Sequence, residues 1–577
     1  AYLSSDTTTW HLTRMISADK SDTITCEYIS GAGYSDFEAS QTFYIEINKA
    51  ESQVSLCDIY AASPQFGHTE EIVNYYYQRK LLSKIKFAGG YVQFEYSNDR
   101  QDPVPERLNK IMVFNVENSL IGQYQFSHNY FISEDAPTNS SESKYFKRLK
   151  LDSLKFQDAN AVTNNMYSFE YNQVGSFPGY RNSIGRKPVS IDFWGYYNQA
   201  APGNMETLLP ANFENAITEF ITGLYGYPAY SSTIISSYQN KMINRYANPN
   251  IQFCMLKKVN YPTGGSTEFE YEGNRISNLG NNSDFVGGQR IKSVKSFDPL
   301  TQSTRIKAFE YSTGTPVTKI LPYSFYHTKS NYVYKWGNIP PYFAWCHNQY
   351  FYITGNPAST INYYNGSPVI YQTVTEYDGN LLANKGKIVY TYDVEGDSIY
   401  SSPYLRKYMY FSTIKDWARG NLLQQKIYKR AGLNYELIKM TTNEYAKFGQ
   451  VPVKVGQLCE LTSSTSTPNL ENYLAFLKTN SYATILLNYF DYEDVVIPFG
   501  TKKLIKTTEV DYLNDTDVNK NEYFYESPNH LYVSKQKQYN SDESDVKVTE
   551  LKYPQDKTTI IGLTSESTSA LDGMIAA

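Results

Sequence analysis

Apolar and polar positions along this chain form short alternating runs that come in pairs. An apolar pair spaced by two residues leads into a polar turn, and an aromatic-x-aromatic run then returns and ends in Tyr. The fullest copy is Leu256-Lys257-Lys258-Val259-Asn260-Tyr261, the turn Pro262-Thr263-Gly264-Gly265, and the return Thr267-Glu268-Phe269-Glu270-Tyr271. Alternate residues of an extended strand face one side, so Thr267, Phe269 and Tyr271 share a face while Glu268, Glu270 and Glu272 share the other. Gly264 and Gly265 can supply the positive φ of a tight turn. The pattern predicts an antiparallel hairpin.

The unit recurs. Leu82-x-x-Ile85 leads to Val92, Phe94 and Tyr96, and Leu12 with Met15 leads to Ile24, Cys26 and Tyr28. Leu151-x-x-Leu154 leads to Tyr167, Phe169 and Tyr171, and Ile291-x-x-Val294 to Phe309 and Tyr311. A further hairpin runs from Tyr371 to Tyr377, turns at Asp378-Gly379-Asn380, and returns through Ile388, Tyr390 and Tyr392. Weaker copies start near Leu108, Leu423, Leu504 and Leu531. One hairpin alone is marginal in water, so the copies must pair side by side. The fold class expected is mostly β: repeated antiparallel hairpins forming a large wrapped or spiral sheet, with a few short helical insertions. Irregular spacing argues against identical solenoid rungs.

Along the chain, residues 1–200 read as N-terminal hairpins. Residues 201–250 read as a partly helical insertion, with helical spacing of apolar positions near 211–223. Residues 251–460 read as central hairpins around an aromatic loop at 331–370. Residues 461–499 hold a second short helix from Pro468 to Thr479. Residues 500–558 close with hairpins, and 559–577 form a small polar tail. No linker signature divides the chain into independent domains.

The 577 residues include 56 Tyr, and only 19% are charged. Tyr has an apolar ring and a polar tip, which suits a sheet whose faces are only partly dry. This balance points to a secreted or cell-surface protein. A net charge of -5 without a basic patch speaks against nucleic-acid binding. No run approaches the roughly 18 apolar residues of a membrane helix. The chain opens at Ala1 without a signal-like segment, so it reads as a processed product or the ordered part of something longer.

Motifs that would carry chemistry are sparse. His11, His68, His128, His327, His347 and His530 form no HxH or HExxH, and no GxSxG, P-loop or GxGxxG occurs. Cys26, Cys57, Cys254, Cys346 and Cys459 are scattered and read as single thiols, and Cys346-His347 lacks a partner pair for zinc. Asp515, Asp517, Asn519 and Asn521 alternate as calcium ligands do, yet Lys520 stands where such a loop needs Gly, so a solvated hairpin turn is the reading. Glu268 with Glu270, and Asp192 near Trp194, are the carboxylates to weigh as acid–base groups. No enzyme, cofactor or metal site is expected. The aromatic stretch Tyr332–Tyr352 offers Trp336, Tyr342, Trp345 and Tyr350 as stacking platforms for a glycan.

The Tyr377-Asp378-Gly379-Asn380 and Tyr390-Thr391-Tyr392-Asp393 segments, with Leu256–Glu272 and Ile191–Asn198, resemble the tyrosine–aspartate repeats of RHS/YD-repeat proteins, in their divergent Bacteroidota form. The likeness runs over roughly residues 8–555. On it, Tyr28, Tyr96, Tyr171, Gly264, Gly265, Phe269, Tyr271, Tyr311, Tyr377, Asp378, Tyr390 and Tyr392 are repeat-defining. No single copy meets the strict consensus, and the Asp- and Gly-rich terminal core of such shells is absent. The resemblance implies a spiral sheet that encloses or presents a cargo or effector polypeptide and engages secretion machinery or surface partners. The alternative is a glycan-binding adhesin using residues 332–352.

Overall fold

The computed structural model describes residues 9–17, 19–50, 65–133, 136, 141–160, 162–173, 190–199, 245–277, 284–319, 324–336, 342–355, 361–401, 410–461, 490–513, 517–542 and 546–576. Its strands are β1 (Arg14–Ile16), β2 (Thr23–Ser30), β3 (Tyr34–Ala50), β4 (Gln65–Tyr77), β5 (Lys80–Phe87), β6 (Gly90–Ser97), β7 (Arg107–Asn115), β8 (Leu120–Ile132), β9 (Lys147–Asp158) and β10 (Thr163–Tyr171). They continue with β11 (Leu256–Asn260), β12 (Ser266–Arg275), β13 (Phe285–Asp298), β14 (Ser303–Tyr311), β15 (Gly314–Pro316), β16 (Ser324–Trp336), β17 (Tyr342–Thr354), β18 (Val369–Tyr371) and β19 (Thr373–Gly379). The last are β20 (Asn384–Tyr392), β21 (Ser398–Ser401), β22 (Tyr410–Thr413), β23 (Leu422–Ala431), β24 (Asn434–Leu461), β25 (Phe490–Asp511), β26 (Asp517–Phe524), β27 (Lys535–Tyr539) and β28 (Val546–Glu550), before helix α1 (Ser565–Ala576).

Twenty strands make one antiparallel sheet. It runs as a meander: β1, β2, then β5 to β14 in order, β19, β20, and β23 to β28 in order. Among the described residues β1 pairs only with β2 and β28 only with β27, so the sheet is open and not a closed barrel. The expected mostly-β fold of paired hairpins is what forms.

The spacing of the apolar pair has a physical cause. Strict alternation would put residues i and i+3 of a strand on opposite faces. Here Glu27 pairs with Lys84 while Tyr28 pairs with Leu82, so Ser83 is an extra residue, a β-bulge inside Leu82-x-x-Ile85. The same offset leaves Asp152, Lys257, Lys292, Leu423 and Ile505 as extra residues. One extra residue resets the phase and returns both apolar residues to one face.

Followed from pair to pair, that phase gives the sheet two unlike faces from β2 to β13, while beyond β13 charges such as Lys307, Glu376 and Lys439 share the otherwise apolar face. One carries Lys86, Lys155, Glu170, Lys258, Glu268, Glu270 and Lys295. The other carries Ile85, Phe94, Phe156, Phe169, Val259, Phe269 and Val294. Few side chains are deeply buried, and among the described residues the buried polar and charged ones outnumber the apolar ones.

Two long hairpins leave this sheet. β3–β4 lies between β2 and β5, β16–β17 between β14 and β19, and β3 pairs with β17 to make a separate four-stranded sheet. Phe43 and Ile353, opposite each other, are its buried anchors. The region expected as an aromatic loop at 331–370 therefore contains strand for much of its length. Its β-branched and aromatic residues outweigh the Pro and Asn that prompted the loop reading.

The Tyr371–Tyr392 hairpin turns slightly later than expected. Gly379 closes β19 opposite Asn384, and Asn380 N donates to Ala383 O at 2.9 Å. Asp511 pairs with Asp517, so the Asp515–Asn521 segment borders a hairpin turn. The polar tail contains α1, with no buried residue. The helices expected near 211–223 and at Pro468–Thr479 lie outside the described residues. No helix among the described residues is long and apolar enough to cross a membrane.

Candidate functional site

A bulge frees a backbone carbonyl from the ladder, and a buried carbonyl needs a donor. The tyrosine at the end of the returning strand supplies it. Tyr96 Oη donates to Leu82 O at 3.0 Å, Tyr171 to Leu151 O at 2.7 Å, Tyr271 to Leu256 O at 2.6 Å and Tyr311 to Ile291 O at 2.6 Å. Tyr445 does the same to Leu422 O at 3.1 Å, and Tyr525 to Leu504 O at 2.8 Å. Tyr28 closes the first copy on Leu12 O at 2.9 Å. Donor and acceptor are between 14 and 23 residues apart, so the constant of the repeat is this clamp, while the hairpin between its ends varies in length.

The other repeat residues act differently. Tyr377 Oη donates to Glu310 Oε2 at 2.8 Å, Asp378 pairs with Arg305, and Tyr390 stacks on Tyr392. Gly264 has φ +81°, as the turn requires, and a Cβ on Gly265 would sit 3.0 Å from Phe297 O. Phe269 lies opposite Val294 on the apolar face. Tyr445 and Tyr525 were absent from the repeat-defining set. The Glu-Tyr dipeptide of Glu27-Tyr28, Glu95-Tyr96, Glu170-Tyr171, Glu270-Tyr271 and Glu310-Tyr311 recurs at Glu444-Tyr445 and would have found it. Tyr525 lacks that signal.

The charged face is laced with cross-strand pairs. Glu270 accepts from Lys295 Nζ and from Ser293 Oγ, and these bonds hold its carboxyl below the usual range. That is the reverse of what a general acid needs. Glu268 lies opposite Lys258 and Lys295.

Asp192 has a different setting. It is 1% exposed, and its Oδ1 accepts the backbone N–H groups of Trp194 and Tyr196, each at 2.9 Å. Burial pushes its carboxyl up to about 6 against the pull of those bonds and of Arg245. Arg245 donates to the carbonyls of Ile191, Asp192 and Gly355, joining three segments, and burial draws it down to about 10. Tyr363 Oη donates to Trp194 O at 2.7 Å, while Trp194 Nε1 is buried without a partner.

A second buried knot sits where β24–β25 extends past its neighbours. Arg419 and Asp397 form an ion pair with both side chains fully buried. Asp397 also accepts from Thr318 Oγ1 and Asn362 Nδ2. Lys502–Asp393 and Lys447–Glu395 brace the same hairpin, and Trp417 Nε1 donates to Pro498 O at 3.2 Å.

Among the histidines, His530 Nε2 lies 2.8 Å from Asp556 Oδ2, and Ser527 Oγ donates to Asp556 Oδ1 at 2.7 Å. Both groups address the carboxylate and His530 Nδ1 accepts the Tyr532 N–H, so Ser527 is not bonded to the imidazole. His11 packs on Tyr28, and His128 contacts Arg107. Trp336, Tyr342, Trp345 and Tyr350 are strand positions of β16 and β17, with Trp336 opposite Tyr342. Their side chains lie outside the described residues, as do those of Cys346 and His347.

No protein-family model and no curated protein matches the chain. Among solved structures, TcdB2-TccC3-Cdc42 aligns at 8% identity with a TM-score of 0.39, over 92% of this chain and 36% of that one. TcdB2-TccC3 gives the same score and identity over 92% and 37%. A porin-like protein from Bacteroides uniformis aligns at 9% identity and a TM-score of 0.13, over 54% of this chain and 96% of that one. The chain thus spans little more than a third of the TcdB2-TccC3 chains it matches.

Proposed function

We propose that this chain is a structural wall: a secreted or cell-surface β-shell segment of RHS/YD type that encloses or presents a cargo or effector polypeptide. The observation that carries the reading is the single meandering sheet, whose β2–β13 part has one charged and one apolar face. A hydrophobic sheet face must be turned away from bulk water, and a wall that curls around a volume does this without a second packed layer. The tyrosine clamps suit such a wall, because they satisfy each bulge locally and let the sheet bend there. Binding would be mechanical, with no turnover assigned to the chain.

Small-angle scattering and electron microscopy of the purified protein test it. A hollow particle, with scattering depleted at its centre, is the expected result. A solid particle whose sheet is covered by a second packed layer would sink the shell reading.

A further inference from the structure

The two outer strands of the large sheet match each other. β1 and β28 each have one partner among the described residues, and every residue of both is exposed. Neither contains Pro, one of the devices that blunt an edge. Ile16 is 49% exposed and Val548 50%. Among the described residues Arg14 and Glu550 form no ion pair, unlike Lys86, Arg290 and Lys295.

Three independent features agree on how these edges fit. First, the sheet has twenty strands, all antiparallel to their neighbours. The first and last therefore run in opposite directions, and a second copy set beside β28 in the same orientation offers β1 in antiparallel sense. Second, the pairing carries Arg14 and Ile16 to the same face as Val546, Val548 and Glu550 when followed through every ladder. A copy added this way continues each face of the sheet into the same face of the next copy. Third, one register places Glu550 opposite Arg14, Thr549 opposite Met15 and Val548 opposite Ile16. It pairs opposite charges and apolar side chains at once.

We infer that β28 of one molecule accepts β1 of a second copy, giving a head-to-tail continuation of the sheet. Such a contact is heterologous, so it propagates into chains of copies unless curvature closes a ring. The inference needs only the two open edges and stands whether or not the sheet encloses a cargo.

Sedimentation velocity over a wide concentration range tests it in the full chain. Species larger than dimers should grow with concentration. Arg14→Glu or Glu550→Arg alone places like charges opposite each other and should weaken association about tenfold. The double charge swap in one chain restores opposite charges at every junction and should recover assembly. This recovery separates a lost contact from a damaged fold. Mixing Ile16→Cys with Val548→Cys protein under oxidation should also give a crosslinked pair above the background of the unsubstituted protein. A monomer at every concentration overturns the inference, as does assembly indifferent to both charge reversals. Crosslinking of Ile16→Cys to itself would overturn it in favour of a symmetric edge contact.

Discussion

Removing the Tyr271 hydroxyl tests the account of the repeat most directly. Tyr271 Oη donates to Leu256 O at 2.6 Å, at the bulge that leaves Lys257 unpaired in β11. Tyr271→Phe keeps the ring on the apolar face and deletes only the donor. A typical intramolecular hydrogen bond contributes about 1 kcal/mol, and a stranded buried carbonyl raises the loss towards 2 kcal/mol. The site is part-buried, so the lower figure applies. That equals roughly fivefold in the local opening equilibrium. Native-state hydrogen exchange followed by mass spectrometry should show this acceleration in peptides covering Leu256–Asn260 and Ser266–Arg275, with distant hairpins unchanged. Tyr390→Phe is the control, because Tyr390 stacks on Tyr392 and its hydroxyl makes no hydrogen bond among the described residues. If Tyr271→Phe exchanges like wild type, or if Tyr390→Phe is equally disruptive, the hydroxyl is not what secures the bulge and the repeat is held by ring packing alone.

Asp192→Asn should raise stability at neutral pH. Lifting the carboxyl from 3.8 to about 6 corresponds to about 3 kcal/mol against the ionised fold, a net figure that already contains the attraction of Arg245. The folded value lies above the unfolded one, so Asp192 stabilises fully below about pH 4, and this contribution is lost as pH rises through about 6. Urea unfolding followed by tryptophan fluorescence should show that pH slope in wild type and a shallower one in Asp192→Asn; a destabilised variant at neutral pH would mean that the ion pair outweighs burial. Arg419→Ala should cost about 3–5 kcal/mol by leaving Asp397 charged and buried, whereas Arg419→Met with Asp397→Leu should cost much less, as read from thermal midpoints. Burial pushes the Tyr311 phenol up to about 12, above the usual 10.0 of a tyrosine. Its contribution is complete below about pH 10 and lost as pH climbs through about 12, so absorbance titration of wild type should show late-ionising phenols that Tyr311→Phe reduces by one.

The hairpin pattern was legible because period-2 alternation survives in sequence wherever one face is apolar, as in Thr267–Tyr271 or Val92–Tyr96. The bulge was visible too, as the offset of Leu82 from Ile85, but its meaning was not. Only the partner strand reveals that Ser83 is an extra residue, since Glu27 and Tyr28 are consecutive while Lys84 and Leu82 are not. The aromatic segment 331–370 was harder to place. Its strand β17 pairs with β3, roughly three hundred residues earlier, and local composition carries no trace of that partner. Asp192 showed itself only as a carboxylate near Trp194. Its burial depends on Arg245 and Gly355, which are remote in sequence.

These observations explain how described residues so poor in buried apolar side chains still hold one large sheet. In a packed two-layer domain, register is enforced because a one-residue slip moves apolar residues out of the core. With little core, that penalty is weak, and a long meander risks slipping. The clamp adds a penalty of a different kind. If β12 slips by one residue against β11, Tyr271 no longer reaches Leu256 O, the bulge carbonyl loses its donor, and Glu268 loses Lys258 opposite it on the charged face. A single exposed ion pair contributes about 0–1 kcal/mol, so none of these contacts fixes the register alone. Their coincidence at one offset does, and because seven hairpins repeat the clamp, six of them at a bulge, each is locked locally. Hairpin length can then drift without disturbing its neighbours, which is the irregular spacing the chain displays.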